Sequence, residues 1–294
     1  MSRPTEPSPA LCPSEGAGPV FFRFRALAGA AGLRHAISSR LGGRSRAPFA
    51  ENNMTFRNPE PAEVTLGNRE AFARAAGIPL ERWATGRQVH GATVVRVGVQ
   101  DCGRGARDPG GRLPATDALV TTEAGVALAV FGADCGLVLL WAPQTPAIAV
   151  AHAGWRGLAA GVLSRAVGEL SALASAAPAD LRAALAPAIR ACCYTVGPEV
   201  REALVQAPGK LEAAFVQRRG RLWLDVEGAC VEQLVSSGLG RDHIIRTGVC
   251  TACRHDLFYS ARGDGEPTGR GVLVAMLEVP KDGGEVPGRP GPGR

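Results

Sequence analysis

Four short apolar runs in the middle of the chain constrain its fold more than any other sequence feature. They span residues 118–121, 126–131, 137–141 and 147–151, and Thr121 is the only polar residue within them. Runs of this length without alternating polar residues are typical of strands that are buried on both faces of a sheet. The sequence therefore predicts a sheet that other layers of structure cover on both sides.

Helical patterns lie around and between further strand-like runs. We predict strands at 20–27, 94–97, 181–185 and 272–277, and helices at 61–76, 157–173, 199–205 and 227–236. Gly77 and Pro79 end the first of these helices, and Pro178 ends the second. Because helices and strands do not alternate strictly, the pattern predicts an α+β fold with mixed β-sheet layers rather than a doubly wound parallel sheet.

The two ends differ from the rest of the chain. Much of the excess of glycine and proline, 38 and 22 of 294 residues, is concentrated there. We therefore predict a disordered leader over residues 1–18, a single domain over 19–279 and a disordered Gly/Pro-rich tail over 280–294. Residues 103–114 are interpreted as a surface loop.

Composition narrows the classes of function. The net charge of +6 is modest and scattered, and aromatic residues make up only 5% of the chain. We therefore expect no nucleic-acid partner, whereas an anionic small substrate suits this surface. No apolar run is long enough to span a membrane, and residues 1–19 lack the apolar stretch of a signal peptide. A cytoplasmic location follows as the expectation, with the eight cysteines reduced.

Three polar side chains stand next to strand-like runs. His90 lies in a QVHG segment, Cys135 in GADC, and His152 in AHAGWRG, with one predicted strand between the latter two. Two imidazoles and a thiolate are typical of catalytic zinc sites, which keep one coordination position open. Copper accepts the same donors. A lone cysteine after an apolar run is also typical of a small core residue, so spacing alone leaves both interpretations open.

Other residues carry weaker signals. Asp134 adjoins Cys135 and suits either an acid/base or a positioning role; in an extended strand its side chain points away from Cys135, which favours positioning. Arg40, before a glycine turn, has the geometry to clamp phosphate or to remain solvated. Gly154, Gly157 and Gly161 are predicted to share one helix face. The CxxC motif of residues 250–253 has no second CxxC to complete a zinc knuckle.

Taken together, the motifs identify a family resemblance over roughly residues 33–277. The matching pieces are SRxGG at 39–43, NR at 68–69, QVHG at 88–91, TDA at 116–118, ADC at 133–135, HAGWRG at 152–157, ACCYxVGxEV at 191–200, CT at 250–251, SxRxDG at 260–265 and TGR at 268–270. In this order they resemble the YfiH-like family. Its members are also called laccase-domain or multicopper polyphenol oxidoreductase proteins and are now regarded as purine nucleoside phosphorylases with side activities.

The resemblance implies a fold, a metal site and a reaction. The implied fold is an α/β/β/α-like sandwich, with His90, Cys135 and His152 binding a catalytic Zn²⁺, or copper as the competitor. Arg40 and Arg262 are implied to contact substrate or phosphate. The implied enzyme phosphorolyses adenosine, inosine and methylthioadenosine to the free base and (methylthio)ribose 1-phosphate, and it also deaminates adenosine. We expect a monomer or weak homodimer.

The chain departs from the family pattern at four positions. Leu137 replaces a proline, Ala261 and Gly263 replace an aromatic and a charged residue, and Cys230 replaces an asparagine. These changes bear on substrate preference and turnover.

Four alternatives remain open. A metal-free hydrolase would use Cys135 as nucleophile and His152 or His90 as base. The others are a peptidoglycan-precursor editing factor, a non-catalytic binding protein and a copper-dependent polyphenol oxidase. The last is disfavoured because five histidines without a His-x-His pair cannot build a multicopper centre.

Overall fold

The computed structural model describes residues 7–16, 18–57 and 59–279. Within these ranges the strands are β1 (Leu11–Pro13), β2 (Phe21–Phe24), β3 (Leu33–Ser38), β4 (Trp83–Thr85), β5 (Val94–Arg96), β6 (Ala118–Thr121), β7 (Ala127–Gly132), β8 (Gly136–Ala142), β9 (Ala147–Ala153), β10 (Arg182–Leu185), β11 (Thr195–Val196), β12 (Phe215–Arg218), β13 (Arg221–Leu224), β14 (Ile244–Arg246) and β15 (Gly271–Leu277). The α-helices are α1 (Ala62–Ala76), α2 (Trp155–Ala159), α3 (Val162–Ala174), α4 (Pro198–Val205), α5 (Val226–Ser236) and α6 (Ala261–Asp264).

The strands form two six-stranded mixed sheets and one small sheet. The first sheet has the order β1-β2-β3-β15-β7-β4, and the second has the order β14-β10-β8-β9-β6-β5. Both are antiparallel except for the β7–β4, β10–β14 and β6–β5 pairs, which are parallel. Strands β11, β13 and β12 make the third sheet. Since β3 pairs with β15, the two ends of the domain are joined in one sheet.

The two large sheets pack face to face, and helices cover both outer faces. Leu128 of β7 and Leu139 of β8 belong to the cluster between the sheets. Leu140, the next residue of β8, packs instead with α3 and α5 on the outer side of the second sheet. Phe72 of α1 covers the outer side of the first sheet. This architecture confirms the α+β prediction and the implied α/β/β/α sandwich, and it explains why β8 is apolar on both faces.

Two predicted elements differ from those observed. The predicted helix at 157–173 is two helices, α2 and α3, because Gly161 between them has a left-handed φ of 79°. A Cβ at Gly161 would also lie 3.0 Å from Pro208 Cγ. The three glycines therefore do not share one helix face, since Gly154 precedes α2. The predicted strand at 20–27 ends at Phe24 and continues as a 3₁₀ turn.

The predicted leader is partly ordered. Strand β1 pairs with β2, opposing Leu11 to Phe24, and Leu11 is fully buried. The prediction of disorder is therefore wrong for this segment, because an isolated apolar residue among prolines completes the edge of the first sheet. Residues 1–6 and the predicted tail at 280–294 lie outside the described residues. In the part of the chain that is described, no helix has the length and apolar character needed to cross a membrane.

Candidate active site

The connection between the two sheets places Cys135 beside His152. Cys135 lies in the turn between β7 of the first sheet and β8 of the second. His152 is the penultimate residue of β9, and the β8–β9 register sets it opposite Leu137, two residues after Cys135. The single intervening strand thus brings the two side chains together, as the sequence spacing suggested.

His90 reaches the same point from a loop rather than from a strand end. It lies between β4 and β5 with a left-handed φ of 60°. The Asp117 carboxylate holds this loop, because it accepts hydrogen bonds from the backbone N–H groups of residues 89, 90 and 91 at 3.1, 3.0 and 2.9 Å. One buried carboxylate therefore fixes the unusual backbone that orients His90.

The three side chains converge on one point. The ligand atoms of His90, Cys135 and His152 all lie within 4.8 Å of one another, and the two imidazole rings meet edge to face with centroids 4.8 Å apart. Gly154 leaves the necessary room, since a Cβ there would lie 2.7 Å from His90 Cδ2 and 3.1 Å from Cys135 Sγ. The structure thus brings together the three predicted ligands.

The pKa values of Cys135, His152 and Asp117 depend strongly on one another. Burial opposes ionisation of the Cys135 thiol, but His152 and His90 outweigh it and lower the pKa to about 6. Burial likewise opposes protonation of His152, yet Cys135 and Asp117 raise its pKa to about 9. Burial also disfavours the charged Asp117, but hydrogen bonds from His152 and the loop keep its pKa below the usual range. Without a metal, the site therefore holds a thiolate–imidazolium pair.

These side chains lie in a cleft of about 550 Å³. Six arginines but only two acidic residues line this cleft. The arginines are Arg57, Arg69, Arg112, Arg156, Arg262 and Arg270, and the acidic residues are Asp134 and Glu266. The guanidinium of Arg156 stacks on Trp155 with its Cζ 4.2 Å from the ring centroid, and that of Arg262 stacks on Tyr194 at 4.9 Å. The cleft thus combines positive charge with flat aromatic surfaces.

The carboxylate of Asp134 links two distant segments of the chain. It has a left-handed φ of 81°, and its carboxylate accepts hydrogen bonds from Thr251 Oγ1 at 2.6 Å and from the Arg262 N–H at 2.8 Å. It therefore joins the turn that carries Cys135 to the segment that carries Arg262. The residue lies in a turn and not in an extended strand, and its role, acid/base or positioning, stays a prediction.

Arg40 lies apart from the residues that line the cleft. Its Nη1 donates to Asp264 Oδ1 at 3.0 Å and to the His255 carbonyl at 2.7 Å, and its guanidinium stacks on Tyr259. These contacts hold Nη1 away from the cleft, so the structure does not bring Arg40 together with the other predicted site residues, and its phosphate role stays a prediction. Because Asp264 ends α6, Arg40 instead anchors the short helix that carries Arg262.

Sequence reasoning missed several residues that shape the site. Asp117 stood in a recognised motif, but nothing in the sequence indicated that it would bond His152 Nδ1 at 2.9 Å and the His90 loop together. Arg156 and Trp155 were visible in HAGWRG, and Tyr194 in ACCYxVG, but no role was assigned to them. The Gln88 amide bonds the backbone of Phe131 at 2.7 and 2.8 Å and so ties the His90 loop to β7.

Comparison with known proteins shows the family to which the chain belongs. Residues 34–278 match the family described as multi-copper polyphenol oxidoreductase laccase. The chain belongs to this family. Among curated members, it is 37% identical over 242 residues to the purine nucleoside phosphorylase YlmD of Geobacillus stearothermophilus, covering 82% of this chain and 88% of that one. It is 32% identical over 207 residues to the adenosine deaminase RL5 of an unknown prokaryotic organism, covering 70% and 79%.

Solved structures of the family share the fold. The crystal structure of YlmD from Geobacillus stearothermophilus superposes with a TM-score of 0.83 at 33% identity, covering 90% of this chain and 98% of that one. A hypothetical protein YfiH of Bacillus licheniformis superposes equally well at 28% identity, with the same coverage. The resemblance drawn from the motifs is thereby confirmed, as is the fold that it implied.

Proposed function

We propose that the chain is a metal-dependent purine nucleoside enzyme that phosphorolyses adenosine, inosine and methylthioadenosine and also deaminates adenosine. We call His90, Cys135 and His152 the His₂Cys centre. The observation that carries this proposal is that this centre lies in a cleft lined by arginines and aromatic rings. The names of these relatives, purine nucleoside phosphorylase and adenosine deaminase, support the same substrate class.

The residues present fit a zinc ion. Zinc prefers thiolate and imidazole donors, and catalytic sites use three protein ligands. His152 offers Nε2 because its Nδ1 is bonded to buried Asp117, an arrangement typical of metal-binding histidines. His90 and Cys135 complete the set in the space that Gly154 leaves open. Bound zinc supplies Lewis acidity at an open coordination position.

The rest of the cleft suits a nucleoside and phosphate. Trp155 and Tyr194 offer ring faces for a purine base, and the arginines stacked on them are already oriented. Guanidinium groups bind phosphate oxygens through paired N–H donors. We assign Arg156 and Arg262 to substrate or phosphate, since both line the cleft and their side chains are close to its aromatic walls.

The two reactions place different demands on these residues. In phosphorolysis a phosphate oxygen bonds to C1′ as the bond from C1′ to the purine nitrogen breaks, and the base leaves with the electron pair. The arginines then hold the anionic nucleophile against the sugar. In deamination water adds to C6 of the purine and ammonia leaves, so that no phosphate is needed. The shared requirement is a base held over the His₂Cys centre.

The test is product analysis with purified protein. Adenosine, inosine and methylthioadenosine are each incubated with and without phosphate, and base, sugar phosphate and inosine are separated by chromatography. We expect free base and sugar 1-phosphate in equal amounts only when phosphate is present, and inosine from adenosine in both cases. Cys135→Ala should abolish both, whereas Cys12→Ser, remote from the cleft, should not. Failure with every purine nucleoside would overturn the proposal.

One observation favours a second candidate, the metal-free cysteine hydrolase. The low pKa of Cys135, about 6, and the raised pKa of His152, about 9, are typical of an activated nucleophile with its partner. Chelation separates the two candidates. Activity that survives complete metal removal, and that iodoacetamide then abolishes, supports the hydrolase. Nucleoside turnover that is lost with the metal and restored by zinc supports the metal enzyme, whereas oxidation of a phenol that copper alone restores would indicate the oxidase.

A further inference from the structure

A second group of cysteines lies outside the cleft that holds Cys135. Strands β10 and β14 pair in parallel, so the chain leaves both strands at the same edge of the sheet. Cys192 and Cys193 follow β10, whereas Cys250 and Cys253 follow β14. An isolated bridge between Ala188 and Cys250 and a hydrogen bond from Arg190 Nη1 to the Gly248 carbonyl hold the two segments together.

The four sulfur atoms are spaced as a tetrahedral metal site requires. All four Sγ atoms lie within 4.8 Å of one another, and Cys253 Sγ is 3.5 Å from Cys192 Sγ and 3.4 Å from Cys193 Sγ. With a zinc–sulfur bond of about 2.3 Å, the sulfurs of a tetrahedral site stand about 3.8 Å apart. The two Sγ–Sγ distances from Cys253 are thus slightly shorter than in a tetrahedral site, and the 4.8 Å limit on all the distances leaves room for the ideal spacing.

We propose that Cys192, Cys193, Cys250 and Cys253 bind a structural zinc ion, separate from the His₂Cys centre. The CxxC motif supplies two ligands in the usual way, and an adjacent cysteine pair takes the place of the expected second CxxC. Four thiolates with no open position are typical of structural rather than catalytic zinc.

The surroundings suit a negatively charged zinc–tetrathiolate group. Arg190, Arg218 and Arg254 line the cleft that Cys192, Cys250 and Cys253 share, together with one acidic residue, Asp225, which pairs with Arg190. Cys192 and Cys253 are exposed, so that the site can be loaded from solvent.

A metal at this point would position part of the active site. Thr251, next to Cys250, bonds Asp134, which adjoins Cys135. Tyr194, next to Cys193, lines the catalytic cleft under Arg262. Tying the two cysteine-bearing segments together therefore fixes one wall of the cleft, although none of the four cysteines is part of the catalytic centre.

The test counts metal ions and identifies their ligands. Elemental analysis of the purified protein should give two zinc ions per chain. Cys192→Ser/Cys253→Ser, which changes two exposed residues, should retain one, and His152→Ala should retain the other. The matched control Cys12→Ser should retain both. Circular dichroism establishes that each variant is folded.

Cobalt substitution gives a readout that is independent of activity. Thiolate-to-cobalt charge-transfer absorption is strongest for a site with four sulfurs, so it should persist in His152→Ala and largely disappear in Cys192→Ser/Cys253→Ser. A zinc content that Cys192→Ser/Cys253→Ser leaves unchanged, iron in place of zinc in His152→Ala, or an intact mass lower by two hydrogen atoms because of a disulfide would each overturn the inference. Because loss of nucleoside activity changes none of these readings, the two proposals fail independently.

Discussion

Replacing Asp117 by asparagine should weaken the hydrogen bonds that orient His90 and His152 in the proposed metal site. Asp117 is completely buried, and its two oxygens accept four hydrogen bonds, two each. An asparagine keeps one accepting oxygen and turns an NH₂ group toward two donors. If each hydrogen bond to a charged group contributes about 1.5–3 kcal/mol, the variant loses roughly 3–6 kcal/mol of interactions that hold His90 and His152.

Part of this lost interaction energy should lower the free energy of unfolding, and part should weaken metal binding. Changes to groups that orient metal-binding histidines weaken metal binding by about 10–100-fold, and we expect Asp117→Asn to fall in that range. Competition with a chromophoric chelator measures the affinity, and nucleoside turnover at saturating zinc measures the remaining misalignment. Asp242→Asn, whose carboxylate is exposed, serves as the control. Wild-type affinity and turnover in Asp117→Asn would refute the assignment of Asp117 as the residue that orients both histidines.

Three further predictions concern other parts of the molecule. Gly154→Ala places a methyl group 2.7 Å from His90 Cδ2 and should lower metal affinity at least tenfold, whereas Gly168→Ala, with open space around its Cα, should not; equal affinities would contradict the packing argument. Arg156→Gln should raise the KM for phosphate about 10–100-fold and leave deamination, measured without phosphate, nearly unchanged; a parallel loss of both activities would contradict a phosphate role. His35 is buried with its pKa lowered to about 4, mainly by burial, so the unfolded state binds its proton first and stability falls as the pH drops from 6.5 to 4. At about 1.4 kcal/mol per pKa unit, urea unfolding should detect a loss of about 3 kcal/mol that His35→Gln, which retains an acceptor for the Phe24 N–H, does not show; identical pH profiles would contradict it.

The central strands could be predicted because burial on both faces leaves a direct mark on the sequence. Strands β6 to β9 appear as apolar runs, and β6 has the predicted bounds. The hairpin of β12 and β13 was missed, since most of its side chains are exposed and Arg218 and Arg221 interrupt the pattern. The break at Gly161 was missed for another reason. Its local sequence continues a helical pattern, whereas the conformation depends on Pro208, far along the chain.

The candidate site, too, could be predicted only in part. Cys135 and His152 could be paired from the sequence because one short strand separates them, and the ladder between β8 and β9 then sets their distance. The sequence groups His90 with them only as another polar residue beside a strand-like run, and it does not reveal the loop around Asp117 that positions His90. The motif around Arg40 likewise does not reveal that its Nη1 pairs with Asp264, more than 200 residues away.

The central claim is that one metal ion held by His90, Cys135 and His152 is required for nucleoside chemistry. The most direct test measures metal content and phosphorolysis together during removal of the metal by chelator and its return as zinc. We predict that phosphorolysis of adenosine disappears as the His₂Cys centre empties and returns with zinc in the wild type but not in Cys135→Ala. Undiminished turnover by fully metal-free wild-type protein would contradict the account.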